Sequence, residues 1–167
     1  MDRTSDIPVN LYDVASYAGH DWYVIGIDGR EVTLLAKDDE FGHCPFDLDE
    51  EGHWRTGYYR TSDIQEYLEE TILAELMSNG AEPVVTDFFD IGCFGKICLL
   101  SIREAEQLPS YIRKFGSPWW LRNQGCGNDL ACTVTKGSDV NDFGTEVHRE
   151  DIAVRPVITV IVDSLLK

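Results

Sequence analysis

The apolar positions of the chain fall into several short β-rich runs and one long stretch with helical spacing. Residues 22–27 (Trp-Tyr-Val-Ile-Gly-Ile) and 32–36 (Val-Thr-Leu-Leu-Ala) flank Asp28-Gly29. An Asp-Gly step between two such runs predicts a β-hairpin. Ile64, Tyr67, Leu68, Ile72 and Leu76 recur at helical spacing, with Glu66, Glu69, Glu70 and Glu75 between them as a solvated face. Ser62 and Gln65 read as a capping box at the start of this helix, and Asn79-Gly80 as its stop. A second capping box, Ser101 with Glu104, opens a short helix that Pro109 ends, and residues 97–100 before it read as a buried strand. Residues 119–122 (Trp-Trp-Leu-Arg) lead into a Gly-rich stretch and a β-like run at 132–135. A turn at residues 136–139 precedes a last strand pair and the apolar run 154–162. Residues 41–59 carry Gly, Asp, His and aromatics without periodicity and read as a long loop. Strands and two helices without β-α-β-α alternation predict a single α+β domain over residues 1–167.

Composition supports a folded chain: 167 residues, 43% hydrophobic and 26% charged, with four Trp, seven Tyr and seven Phe for the core. No run reaches the roughly 18–20 apolar residues needed to cross a bilayer. The first residues, Met-Asp-Arg-Thr-Ser-Asp, show no basic and apolar leader pattern, so a cytoplasmic location is expected. Fourteen Lys and Arg against 30 Asp and Glu give a net charge of −16. That balance argues against direct contact with nucleic acid or an anionic membrane, which need a basic footprint. It serves solubility, or else forms an acidic face that docks on a basic protein surface.

The residues that could carry chemistry form no strong motif. Cys44, Cys93, Cys98, Cys126 and Cys132 cannot all pair within one chain, and they read mostly as free thiols, several buried as small hydrophobes. Their spacing fits no zinc template. His43 and Cys44, with His53 ten residues on, form at most a fragment of a metal site, and ordinary loop hydrogen bonding explains them more simply. Residues 139–144 with Glu150 match a calcium loop at positions 1, 3, 6 and 12, but Phe143 stands at position 5 and the flanks are β-like. An acidic hairpin accounts for the same residues. Nucleotide-binding glycine motifs and nucleophile elbows do not occur. Neither a metal nor a cofactor is expected. Arg122 follows three large apolar residues and Arg155 lies in an apolar run, so both read as partly buried guanidiniums forked onto carbonyls or an acid, pinning loops.

Five segments in order carry a resemblance: residues 22–24 (Trp-Tyr-Val), the capped helix at 62–68, residues 99–106 (Leu-Leu-Ser-Ile-Arg-Glu-Ala-Glu), residues 119–122, and residues 153–157 (Ala-Val-Arg-Pro-Val). Over about residues 20–162 the chain resembles a bacterial and phage domain family of unknown function that reads W-Y-V-L, L-L-S-x-x-E-A, W-W-L-R-S-P-G and G-V-R-P. That family looks related to the C-type-lectin-like fold of formylglycine-generating enzymes and retroelement-diversified phage receptor proteins. The resemblance implies a small twisted antiparallel sheet, two flanking helices and long functional loops, with Trp119, Trp120, Leu121, Arg122, Arg155 and Pro156 as its structural signature. Asn123-Gln124-Gly125 stands for S-P-G and Ala153 for Gly. The sugar motifs E-P-N and W-N-D are absent, and neither Cys126 nor Cys132 matches the catalytic cysteine motif of the formylglycine enzymes.

Taken together, these features lead to the expectation of a non-enzymatic acidic module that engages a protein with a basic surface. Its concrete form is a phage-encoded inhibitor of a nucleic-acid-binding host defence protein, anti-CRISPR-like, with carboxylates standing in for phosphates. The candidate contact residues are the acids of two loops. One holds Asp38, Asp39, Glu40, Asp47, Asp49, Glu50 and Glu51; the other holds Asp139, Asp142, Glu146, Glu150 and Asp151. The alternatives are a metal- or thiol-dependent enzyme or ligand binder using Cys44, Cys126, Cys132, His43 and His53, and a phage or surface recognition domain.

Overall fold

The computed structural model describes residues 8–48, 59–88 and 93–166, apart from the side chains of residues 60, 87, 88, 93 and 94. The expected long loop lies partly outside these, at residues 49–58. The fold is α+β, and its strands pair antiparallel. Strands β1 (Val14–Tyr17), β2 (His20–Asp28) and β3 (Glu31–Ala36) form a meander, and the late strand β9 (Val157–Ile161) returns to pair with β3. A two-stranded ribbon joins β4 (Thr86–Phe88) to β5 (Cys93–Gly95). A second meander contains β6 (Trp119–Gln124), β7 (Leu130–Val134) and β8 (Val140–Glu146).

The hairpin expected around Asp28-Gly29 forms one residue further on. Asp28 pairs with Glu31, so Gly29 and Arg30 make the turn, and Gly29 takes φ 62. A β-bulge between Val24 and Gly26 interrupts the β2–β3 register.

The helix from Ser62 is present, and Ser62 Oγ accepts from the Gln65 amide at 3.2 Å. It runs as α1 (Asp63–Tyr67), a π-helical segment (Leu68–Ile72) and α2 (Leu73–Ser78), and Gly80 follows at φ 93. The apolar spacing suggests why the π turn is there. Ile64, Leu68, Ile72 and Leu76 repeat strictly every four residues and are all buried. On an α-helix each four-residue step overshoots a turn by about 40°, so a strict repeat walks off one face. One wider turn restores the alignment.

The Ser101–Glu104 capping box opens α3 (Ile102–Glu106) with both reciprocal bonds made. Pro109 then acts as the N-cap of a short α4 (Ser110–Arg113). Residues 97–100 are buried but do not form the expected strand. Cys98 makes a single bridge, exchanging both backbone bonds with Val157 at 2.9 and 2.8 Å. With Val84, which bridges Thr159, it covers the free edge of β9. The expectation of mostly free thiols holds: Cys44, Cys126 and Cys132 are free, whereas Cys98 in this segment is disulfide-bonded.

Two apolar cores lie on opposite sides of β3. Val32, Leu34 and Ala36 face the core built with Ile64, Leu68, Ile72 and Leu76, while Leu35 faces the core built with Ala105, Leu108 and Ile112. The tryptophan pair of β6 divides between them. Trp119 packs in the second core and Trp120 in the first, as successive strand residues must. Each indole N–H reaches a carbonyl: Trp119 Nε1 donates to Arg113 at 3.0 Å and Trp120 Nε1 to Cys44 at 2.8 Å.

Candidate functional site

The segment 152–154 is the seam that sets the two acidic loops side by side. On one edge the Cys44 amide donates to Ile152 O at 3.1 Å and the Val154 amide to Gly42 O at 2.9 Å. On the other edge the Trp120 amide donates to Ala153 O at 3.1 Å and the Ala153 amide to Pro118 O at 2.8 Å. His43 therefore lies opposite Ala153, between the first acidic loop and the second.

Its imidazole Nε2 is 2.7 Å from Asp39 Oδ2, which also accepts from Ser117 Oγ at 3.3 Å. The Asp151 carboxylate lies within electrostatic reach of the same imidazole. Hydrogen bonds from Arg149 at 2.8 and 2.5 Å hold Asp151 below its usual carboxylate value, and His43 adds to the effect. Asp38 pairs with Lys37 at 3.5 Å, and Glu40 reaches His20 Nδ1 at 3.0 Å. His20 Nε2 lies 3.5 Å from Glu75 on α2, so the first acidic loop is also tied to the helix.

The structure places the candidate contact residues in three ways. Asp39, Glu40, Asp139, Asp142, Glu146, Glu150 and Asp151 are exposed and Asp38 is half-buried. Asp39 and Asp151 both face His43 at the seam, whereas Asp139 and Asp142 stand along the β7–β8 hairpin. Asp49, Glu50 and Glu51, with His53, lie outside the described residues. Asp47 departs from the expectation of a contact residue. It is fully buried, and its Oδ1 accepts from the Asp63 amide at the first turn of α1, at 3.2 Å. Asp63 in turn accepts from the Leu48 amide at 2.8 Å. Asp47 thus fastens the loop to the helix instead of facing solvent.

Residues 139–144 form a strand and its turn. The Asp139 amide donates to Thr135 Oγ1 at 3.1 Å, and Asn141 Oδ1 accepts from the Gly144 amide at 3.2 Å. The Asn141 side chain is spent on its own backbone, as an acidic hairpin requires. Among the described residues, no group of three or more His, Cys, Asp or Glu is placed to hold a metal. Burial pushes the Cys44 thiol up to about 11, helped by Asp63, and the Cys132 thiol to about 11, helped by Asp142. Both are protonated at neutral pH, which makes them poor nucleophiles there.

The signature residues are interior. Trp119, Trp120, Leu121, Arg122, Arg155 and Pro156 are all buried. Arg122 Nη1 donates to Leu99 O at 2.7 Å and to Glu104 Oε1 at 2.6 Å, and Nη2 to Glu104 Oε2 at 2.8 Å. Among the described residues Arg155 meets no carboxylate: its Nε donates to Ala36 O and its Nη1 to Ile112 O, both at 2.7 Å, and Nη2 finds no hydrogen-bond partner there. The guanidinium lies over two rings, 4.5 Å from the Phe115 centroid and 4.8 Å from that of Trp119. Burial lowers it to about 9.

Sequence reasoning missed the contributions of Glu104, Phe115 and His20. Only Glu104 left a signal, since its place in the capping box puts it beside the segment that Arg122 follows. No family model matches the chain, and neither a curated protein nor a solved structure matches it.

Proposed function

We propose that the protein is a non-enzymatic binding module that engages a basic protein surface through exposed carboxylates. The observation that carries this reading is the seam at residues 152–154, which brings Asp39 and Asp151 to either side of His43 while two of the chain's arginines are buried elsewhere. Burial removes Arg122 and Arg155 from the surface, so the solvent-facing side chains are poorer in cations than composition suggests. A field of this sign raises encounter rates with a cationic partner and disfavours anionic ones.

In its concrete form the module is an inhibitor encoded by a phage or mobile element, acting in the bacterial cytoplasm on a nucleic-acid-binding defence protein whose basic groove it fills. The fold reading that accompanies it is C-type-lectin-like, supported by the antiparallel sheets, the flanking helices and the interior position of the Trp-Trp-Leu-Arg strand. In that reading the scaffold is invariant and the loops carry the contact.

The test is capture of partners from a bacterial host lysate at two salt concentrations, followed by competition with DNA. Recovery of a basic nucleic-acid-binding protein, released by salt and by DNA, supports the proposal. Recovery of only acidic or neutral partners, or binding indifferent to salt, overturns it.

A further inference from the structure

We propose that Cys126 and Cys132 form a thiol modification site, in which exposed Cys126 takes up a low-molecular-weight disulfide and Cys132 resolves it into an intramolecular bond. Both thiols are free, Cys126 exposed in the β6–β7 loop and Cys132 buried in β7. Their sulfurs converge on one atom: Asp142 O lies 3.9 Å from Cys126 Sγ and 3.5 Å from Cys132 Sγ. Cys132 Sγ is also 3.6 Å from Gln124 O, at the start of the same loop.

Backbone packing fixes this convergence. The Cys126 amide donates to Phe143 O at 2.8 Å and the Gly125 amide to Leu130 O at 2.7 Å. A Cβ on Gly125 would meet Phe143 O at 2.5 Å, and one on Gly144 would meet Gly125 Cα at 3.1 Å. Two glycines therefore let the loop lie directly on β8, which brings Cys126 over the buried thiol. The β7–β8 register breaks between Ala131 and Thr133, which is where Cys132 sits, so the sheet is irregular at the point where a new bond would need room.

The chemistry balances with the oxidant as co-reactant. The Cys126 thiolate attacks a disulfide RSSR, forming Cys126–S–S–R and releasing RS⁻. The Cys132 thiolate then attacks Cys126 Sγ, forming the Cys126–Cys132 bond and expelling a second RS⁻. Two protein thiols are oxidised, RSSR is reduced to two RSH, and the two thiol protons go to the released thiolates. Because burial raises the Cys132 thiol to about 11, the resolving step is the slow one, and it accelerates about tenfold per pH unit below that value. The product staples the β6–β7 loop beneath the hairpin that presents Asp139 and Asp142.

The experiment treats the whole chain with oxidised glutathione at pH 7 and pH 9 and maps disulfides in non-reduced digests by mass spectrometry. The expected result is a Cys126–Cys132 cross-link that forms faster at pH 9, with release of two glutathione thiols per chain. Cys132→Ser is expected to stop at a glutathione adduct on Cys126, and Cys126→Ser to leave Cys132 unmodified. Cys126 is exposed, so its variant keeps the test valid if the buried substitution prevents folding. A glutathione adduct that persists on Cys126 of the unsubstituted chain at pH 9 would overturn the proposal. Cross-linking of Cys126 between two chains, or exchange of Cys132 with Cys98, would do the same.

Discussion

Arg122 and Glu104 form a two-pronged ion pair in which the carboxylate also caps a helix. Glu104 Oε1 accepts from Arg122 Nη1 at 2.6 Å and from the Ser101 amide at 2.8 Å, while Oε2 accepts from Arg122 Nη2 at 2.8 Å. One side chain thus neutralises a guanidinium inside the molecule and closes the start of α3, which ties the Trp-Trp-Leu-Arg strand to the segment before the helix.

Removing that carboxylate is expected to be severe. Glu104→Ala should lower unfolding free energy by about 3 kcal/mol, because it strands a buried cation and opens the cap together. Glu104→Gln, which keeps an acceptor for the Ser101 amide, should fall between it and the unsubstituted chain. Urea unfolding followed by tryptophan fluorescence measures both. An alanine variant within about 0.5 kcal/mol of the unsubstituted chain would show that the pair holds little.

The acids should separate into structural and surface groups. Asp47→Ala is expected to cost about 1 kcal/mol by freeing the Asp63 amide at the first turn of α1, with the affinity of the remaining folded protein for its partner unchanged. Combined substitution of Asp39, Glu150 and Asp151 by their amides should shift stability by less than about 0.5 kcal/mol. It should weaken partner capture and flatten its salt dependence. Equal losses of binding from both variants would contradict this division.

Glycine identity matters at the β6–β7 loop and far less at the hairpin tip. A Cβ on Gly125 would meet Phe143 O at 2.5 Å and Leu130 Cβ at 2.8 Å, and Gly144 sits at φ +114 with Leu130 Cβ only 2.7 Å from an added Cβ. Gly125→Ala and Gly144→Ala should each destabilise by about 1–3 kcal/mol. Gly137→Ala, whose nearest neighbour would be Thr135 Oγ1 at 3.8 Å, should be close to neutral. Thermal unfolding of the three variants in parallel decides the matter.

Alkaline pH should weaken the fold through its buried thiols. Burial raises Cys44 and Cys132 to about 11 in the folded chain from the 9.0 of an exposed thiol, so between those limits the folded state holds protons that the unfolded state has released. Stability from these groups is therefore complete below about pH 9 and is lost as pH rises toward 11. Arg155, lowered to about 9 by burial, acts in the opposite sense, so the thiol part is read as the difference between unsubstituted chain and a Cys44→Ala/Cys132→Ala variant. The urea midpoint of the unsubstituted chain should fall more steeply over pH 9–11 than that of the variant; parallel slopes would refute the assignment.

Local signals in the sequence determined where elements begin and end. Ser62 and Ser101 start helices because a side-chain oxygen can satisfy an amide three residues on, and that bond depends on neighbours alone. The hairpin near Gly29, the turn before Asp139 and the stop at Gly80 were legible for the same reason. The interior position of Trp119, Trp120, Arg122 and Arg155 also followed from the sequence, since large apolar neighbours leave a guanidinium little else to do. What only tertiary structure decided were the long-range choices. The seam of residues 42–44 with 152–154, the burial of Asp47 against Asp63, and the shared carbonyl of Cys126 and Cys132 each join groups that the local pattern does not connect. A carboxylate in an acidic run looks the same in sequence whether it faces water or caps a helix. The difference arises only when folding brings an unpaired amide within reach, and the energy of that bond is decided by burial, which no local window contains.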